Sequence, residues 1–139
     1  MSEEPDIFDE MERRIRSIFE ATMADIDEAL FDVSSRSLKP LYRIEATDDE
    51  LIVTFDLPYV QKDDIRIEST EETLSIEARI IRPVRLMSLA KGDVEFEKYA
   101  KKIRLPVKVD PAKAKAKFRN GLLTVRFPIH SRGTSVRID

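Results

Sequence analysis

The side chains able to do chemistry in this sequence are few and scattered. His130 is the single imidazole and there is no cysteine, so a nucleophile–base relay would have to be built around one histidine. His130 follows Pro128 with no recognisable motif around it, and it is expected to be a surface residue. One histidine without thiols also excludes multi-histidine and thiolate zinc sites, thiol nucleophiles and a disulfide framework. The only glycines are Gly92, Gly121 and Gly133, too few and too dispersed for a phosphate-cradling loop or a dinucleotide fingerprint. The carboxylate groups Asp48-Asp49-Glu50, Asp63-Asp64 and Glu71-Glu72 are expected in turns, where such residues bond the local backbone, rather than in an acid/base pair or a calcium loop. Lys113, Lys115, Lys117 and Arg119 could present a basic row to phosphates. Phe118, however, falls on the opposite side with Ala114 and Ala116, and a single-strand binder needs aromatics among its basic groups. Lysines on an exposed edge strand, where they discourage uncontrolled pairing, account for the row better. The expectation is a protein that is not an enzyme, with no cofactor, no metal and no nucleic-acid partner.

Composition agrees with this. The 139 residues are 37% charged and 42% hydrophobic, against about 25% charged in ordinary soluble domains, so a core is affordable and global disorder is not expected. One Asn, one Gln and no Cys, combined with dense charge, point to a heat-adapted source. No segment approaches the roughly 20 apolar residues of a membrane span, and residues 1–6 lack signal-peptide order. A cytosolic protein is expected. The net charge of −3 conceals segregation: residues 1–35 hold 3 basic and 11 acidic groups, whereas residues 99–139 hold 11 and 2. Solvated faces would explain this, and so would contact between the acidic head of one subunit and the basic end of another.

The elements that must position these groups are legible from hydrophobic period. In residues 6–33, Phe8, Met11, Ile15, Ile18, Phe19, Met23, Ile26, Leu30 and Val33 recur at three-or-four spacing, which predicts an amphipathic helix. A continuous helix of that length reaches about 42 Å; it must bend near Thr22 to Ala24 or bury its stripe against other molecules. Its acidic polar face would be repelled by anionic lipid, so no membrane partner is expected. Beyond a polar linker at Ser34–Ser37 the period becomes two. Strands are expected around Tyr42–Ala46, Leu51–Leu57, Ile65–Ile67, Leu74–Ala78, Tyr99–Leu105, Ala114–Phe118 and Leu122–Phe127, with a less regular stretch from Arg82 to Glu97. Short strands separated by Pro and polar turns predict an all-β fold, an antiparallel immunoglobulin-like β-sandwich. Asn120-Gly121 predicts a tight hairpin turn at positive φ. In the tail, Val136 and Ile138 point the same way from an extended chain. They read as a strand-addition plug on a linker of about 23 Å reach, with packing on their own domain as the alternative.

Several of these segments resemble the small heat-shock protein (α-crystallin) family, as an archaeal-like member would. Ala116-Lys-Phe-Arg-Asn-Gly-Leu-Leu123 is similar to that family's A-x-x-x-N-G-(V/L)-L signature. Asp56-Leu-Pro58 followed by Asp63-Asp64-Ile65-Arg66-Ile67 resembles its strand–turn–strand element, with Tyr59 where many members have Gly. Tyr99 to Pro106 is similar to its aromatic-x-R-x-φ-x-L-P strand, with Lys101 in place of Arg, and Val136-Arg137-Ile138 resembles its C-terminal I-x-I motif. The resemblance implies a variable helical region (1–37), an α-crystallin domain (38–128) with a dimerisation loop (82–98), and a C-terminal extension (129–139). It further implies an ATP-independent holdase chaperone that binds unfolded client proteins and is stored as a large, shell-like homo-oligomer. Leu86, Met87 and Leu89 would supply dimer contacts on a loop strand that crosses to a partner. Val136 and Ile138 would dock in a neighbour's groove between the strands of Ile65/Ile67 and Ala114/Ala116/Phe118. The helical stripe from Phe8 to Leu30 would serve clients or assembly. A co-chaperone adaptor and, more remotely, an RNA-binding module remain as alternatives.

Overall fold

The computed structural model describes residues 6–88, 92–130 and 136–139. Asp6 caps the first helix, its carboxylate accepting from the Phe8 amide at 3.1 Å, and α1 (Ile7–Leu30) then runs without a break. Of the two outcomes its length allows, a bend near Thr22 to Ala24 is not the one seen: the helix continues past Thr22, whose hydroxyl donates to the Ile18 carbonyl at 2.9 Å. Glu10–Arg14 and Glu12–Arg16 pairs one turn apart, at 2.9 and 3.1 Å, add modest support to the exposed side. The helix stops at Leu30, three residues short of the expected end. Phe31 leaves it to stack on the buried Phe96, with ring centroids 4.8 Å apart. The last carbonyls are then claimed by Lys39: its amide donates to Leu30 O at 2.9 Å and its ammonium to Glu28 O. A cation at this end also complements the helix dipole.

The expected polar linker is in fact a hairpin of β1 (Phe31–Asp32) and β2 (Ser37–Leu38). Asp32 organises its turn by accepting from the Ser34 amide and hydroxyl, and Ser37 is buried. Those serine hydrogen bonds, Ser34 first, lower the Asp32 pKa from its ordinary value.

The remaining strands are β3 (Tyr42–Ala46), β4 (Glu50–Asp56), β5 (Val60–Ser69), β6 (Thr73–Ser88), β7 (Gly92–Arg104), β8 (Lys115–Arg119) and β9 (Leu122–Pro128). They form two sheets, ordered β1-β2-β7-β6-β5 and β3-β4-β9-β8, antiparallel except for the short β2–β7 pair. Alternation then decides burial. Leu51, Val53 and Phe55 from β4, Leu123, Val125 and Phe127 from β9, and Leu74, Ile76, Ala78 and Ile80 from β6 fill the space between the sheets. This is the expected antiparallel sandwich.

Arg82–Glu97 differs from its irregular appearance in sequence. β6 and β7 continue as one long hairpin, with Val84 opposite Phe96 and Met87 opposite Asp93, after a register shift between Arg79 and Val84. The bulge breaks the alternation and accommodates Pro83, which has no amide to give to a ladder. Asp63 and Asp64, expected in a turn, lie within β5.

Two tight turns set the strand edges. Asn120 (φ 51°) and Gly121 (φ 78°) join β8 to β9 as a two-residue hairpin in which Arg119 faces Leu122. Tyr59, at φ 62°, makes the turn between β4 and β5 with its side chain exposed. This left-handed conformation costs a side-chain-bearing residue about 1–2 kcal/mol. Tyr59→Gly is therefore expected to hold stability or raise it by up to about 1 kcal/mol, allowing for glycine's extra chain entropy, whereas β-branched Tyr59→Val should lower it by about 1–2 kcal/mol. Urea denaturation compares the two; a glycine variant weaker than the valine variant contradicts the strain.

Candidate functional site

The sandwich has two open edges on one side of its strand order: β5 ends one sheet and β8 ends the other. On β5, Ile65 and Ile67 stand opposite the buried Ala78 and Ile76, so they face inward, yet both are only half-buried. On β8, Ala116 and Phe118 stand opposite the buried Val125 and Leu123. Phe118 and Ala114 pack partly on the core, while Ala116 remains exposed. The outer sides of both strands are charged, through Arg66 and Glu68 on β5 and Lys115, Lys117 and Arg119 on β8. The arrangement therefore offers apolar side chains at two-residue spacing on strands that are sheet edges among the described residues, which suits an extended peptide.

Val136 and Ile138 lie 84% and 94% exposed, and residues 136–139 form no strand. Their same-side spacing matches that of Ile65 and Ile67 on a strand. Residues 131–135, which would carry them, lie outside the described residues.

The helical stripe is a second apolar surface. Ile7, Phe8, Met11, Ile15, Ile18, Phe19, Ile26 and Leu30 are between 41% and 73% exposed, and only Met23 is half-buried. α1 meets the rest of the molecule chiefly through β1. At the tip of the long hairpin Leu86 and Met87 are exposed strand residues that pair within their own chain; Leu89 lies outside the described residues.

Sequence reasoning missed the β1–β2 hairpin that anchors α1 and a shallow depression lined by Tyr59, Ile81, Pro83 and Val84. Phe31 carries no signal of its stacking on Phe96, and the bulge hides the exposure of Ile81. Lys101, noted as a departure from arginine, places its ammonium 5.7 Å from the Tyr42 ring centroid. It thus joins the two sheets on the side away from β5 and β8.

The electrostatics are those of a solvated sheet face. Lys98 hydrogen-bonds Glu77 at 2.9 Å and lowers its pKa, with help from Arg66. His130 is exposed, and among the described residues no group of His, Cys, Asp and Glu could hold a metal ion.

The family model for Hsp20/alpha crystallin matches residues 43–138. This chain belongs to the Hsp20/alpha crystallin family. Heat shock protein 16 of Schizosaccharomyces pombe is 27% identical over 95 residues, 66% of each protein, so the match spans just under two thirds of that relative. Among solved structures, a point variant of hsp14.1 from Sulfolobus solfataricus is 26% identical with a TM-score of 0.57, covering 98% of this chain and 100% of that one. A Del-C4 mutant of the same protein is 32% identical with a TM-score of 0.53, over 72% of this chain and 81% of that one. The family consists of non-enzymatic chaperones.

Tyr99 fixes where β5 begins. Its hydroxyl donates to the Pro58 carbonyl at 3.2 Å, beside the strained Tyr59. Burial, followed by the nearby Asp56 and Tyr59, raises its pKa above the ordinary 10.0. Because the folded value is the higher one, this contribution to stability is complete below pH 10.0 and is lost as pH rises through the folded value. Tyr99→Phe is expected to cost about 1 kcal/mol at neutral pH and to flatten the alkaline decline in stability. Denaturation midpoints at neutral and alkaline pH check both effects.

Proposed function

We propose that this chain is an ATP-independent holdase chaperone, stored as a large homo-oligomer and binding unfolding proteins before they aggregate. The observation that carries the reading is the combination of an exposed Val136/Ile138 tail with edge strands β5 and β8 whose half-buried apolar residues have the same two-residue spacing. A tail that does not settle on its own sandwich has a complementary site on every other copy. Docking adds a strand to an edge and covers Ile65, Ile67 and Phe118. Burying two aliphatic side chains contributes about 3–6 kcal/mol before the ordering entropy of the linker, enough to hold when repeated around an assembly and weak enough to open singly. The ordering cost grows with temperature, so heating releases tails.

The segment 82–98, through Leu86, Met87 and Leu89, supplies the contact that makes the dimer unit, from which tails build a shell. The stripe from Phe8 to Leu30 is hidden in the stored assembly and offered to clients when tails release. Surrounding charge keeps client complexes dispersed. The charge-rich composition, poor in Asn and Gln, supports a heat-adapted member, and the likeness to hsp14.1 of Sulfolobus solfataricus supports an archaeal-like one; its place of work in this reading is the cytosol. No described helix is long and apolar enough to cross a membrane.

Val136→Ala with Ile138→Ala is expected to reduce the mass measured by light scattering from oligomer to dimer; an unchanged mass contradicts tail docking. Deleting residues 1–29, which spares the Phe31–Phe96 stack, is expected to leave the sandwich folded by circular dichroism while abolishing suppression of client aggregation. Full retained suppression would place the client surface elsewhere.

A further inference from the structure

The apolar stripe of α1 has a regularity beyond amphipathicity. Phe8, Phe19 and Leu30 repeat at eleven residues, as do Ile7 with Ile18 and Ile15 with Ile26. Eleven residues span three turns, about 3.67 per turn, so such a stripe runs almost straight along a helix with a slight right-handed drift. α1 is unbroken over 24 residues, long enough to present the whole stripe as one seam of about 36 Å. A surface suited to irregular client segments alone has no need of this period; a second straight helix does.

Charge selects the orientation of that second helix. All three arginines, Arg13, Arg14 and Arg16, lie in its first half, where they balance Asp9, Glu10 and Glu12, and residues 17–30 hold Glu20, Asp25, Asp27 and Glu28 with no base. Parallel pairing in register would set the two acidic halves against each other. Antiparallel pairing sets each acidic half beside the charge-balanced, arginine-bearing half of the other copy and removes that repulsion. With the crossing centred on Phe19, Phe8 meets Leu30, Ile15 meets Met23, Phe19 meets its own copy, and Arg14 lies beside Asp25 on the flank. The Phe31–Phe96 anchors then place the two sandwiches at opposite ends of the helix pair.

We propose that α1 pairs antiparallel with α1 of a second copy of this chain, centred on Phe19, and that this pairing is what covers the stripe in the stored assembly. The inference rests on the assembly part of the proposed function, whose own test is the mass of the tail variant; a variant that falls to dimers while the helices prove parallel would reject only the present inference.

The absence of cysteine allows a direct test in the full-length protein. Phe8→Cys, Phe19→Cys and Leu30→Cys are made separately at exposed positions that leave the core intact. The Phe8→Cys and Leu30→Cys proteins are mixed, warmed to exchange subunits, cooled and oxidised. Antiparallel pairing brings residue 8 of one copy to residue 30 of the other, whereas two copies of residue 8 lie about 33 Å apart, far beyond disulfide reach. The expected result is disulfide dimers in the mixture and with Phe19→Cys alone, and their loss with Phe8→Cys or Leu30→Cys alone. Self-linking of the Phe8→Cys and Leu30→Cys proteins as strong as the mixed product, or no linking at any position, overturns the proposal.

Discussion

A β-sandwich made of two open sheets must end somewhere, and at each end it leaves backbone donors and acceptors without partners. In the larger sheet the short β1–β2 hairpin lies beside β7; in the smaller one β3 is an edge, tied to the opposite sheet by the Lys101 ammonium over the Tyr42 ring. The β5 and β8 ends are left open, with inward-facing side chains that do not close over the core. Lysines and carboxylates along the outer sides of these strands keep indiscriminate pairing in check, so a partner strand must bring the right apolar spacing. Val136 and Ile138 have that spacing, which is why the tail is the proposed occupant.

In the proposed assembly the tail anchors by two aliphatic side chains, so each latch would be weak by itself. Its strength would come from repetition, and many small, entropically opposed contacts would loosen together on warming. The helix would add a different surface under the same control. α1 is joined to the sandwich through Phe31 and Lys39, so its stripe is available to other chains without disturbing the core. Segregation of charge into an acidic head and a basic end keeps such surfaces from pairing in arbitrary ways.

Much of this organisation is legible from residue order, because alternation and three-or-four spacing report burial directly. The core residues of β4, β6 and β9, the Asn120-Gly121 turn and the helical stripe all follow from period and turn chemistry. Other features depend on contacts distant in sequence. Phe31 reads as one more helical apolar residue until Phe96 is placed beneath it. Ser34–Ser37 reads as a linker because serines carry no sign that Asp32 will fold them into a hairpin. The bulge between Arg79 and Val84 hides the continuity of the long hairpin. Ala116 is assigned to an inward face correctly, but its exposure follows only from β8 being an edge.

The central claim, that edge docking of the tail governs exposure of the helix stripe while the sandwich stays intact, is tested most directly by hydrogen exchange of the assembled protein across a temperature series. The account requires the β5 and β8 edges, the tail and α1 to be protected when cool and to lose protection together on warming, with β4, β6 and β9 still protected. Free exchange of α1 and both edges in the cool assembly, or opening of β4, β6 and β9 before them, would contradict it.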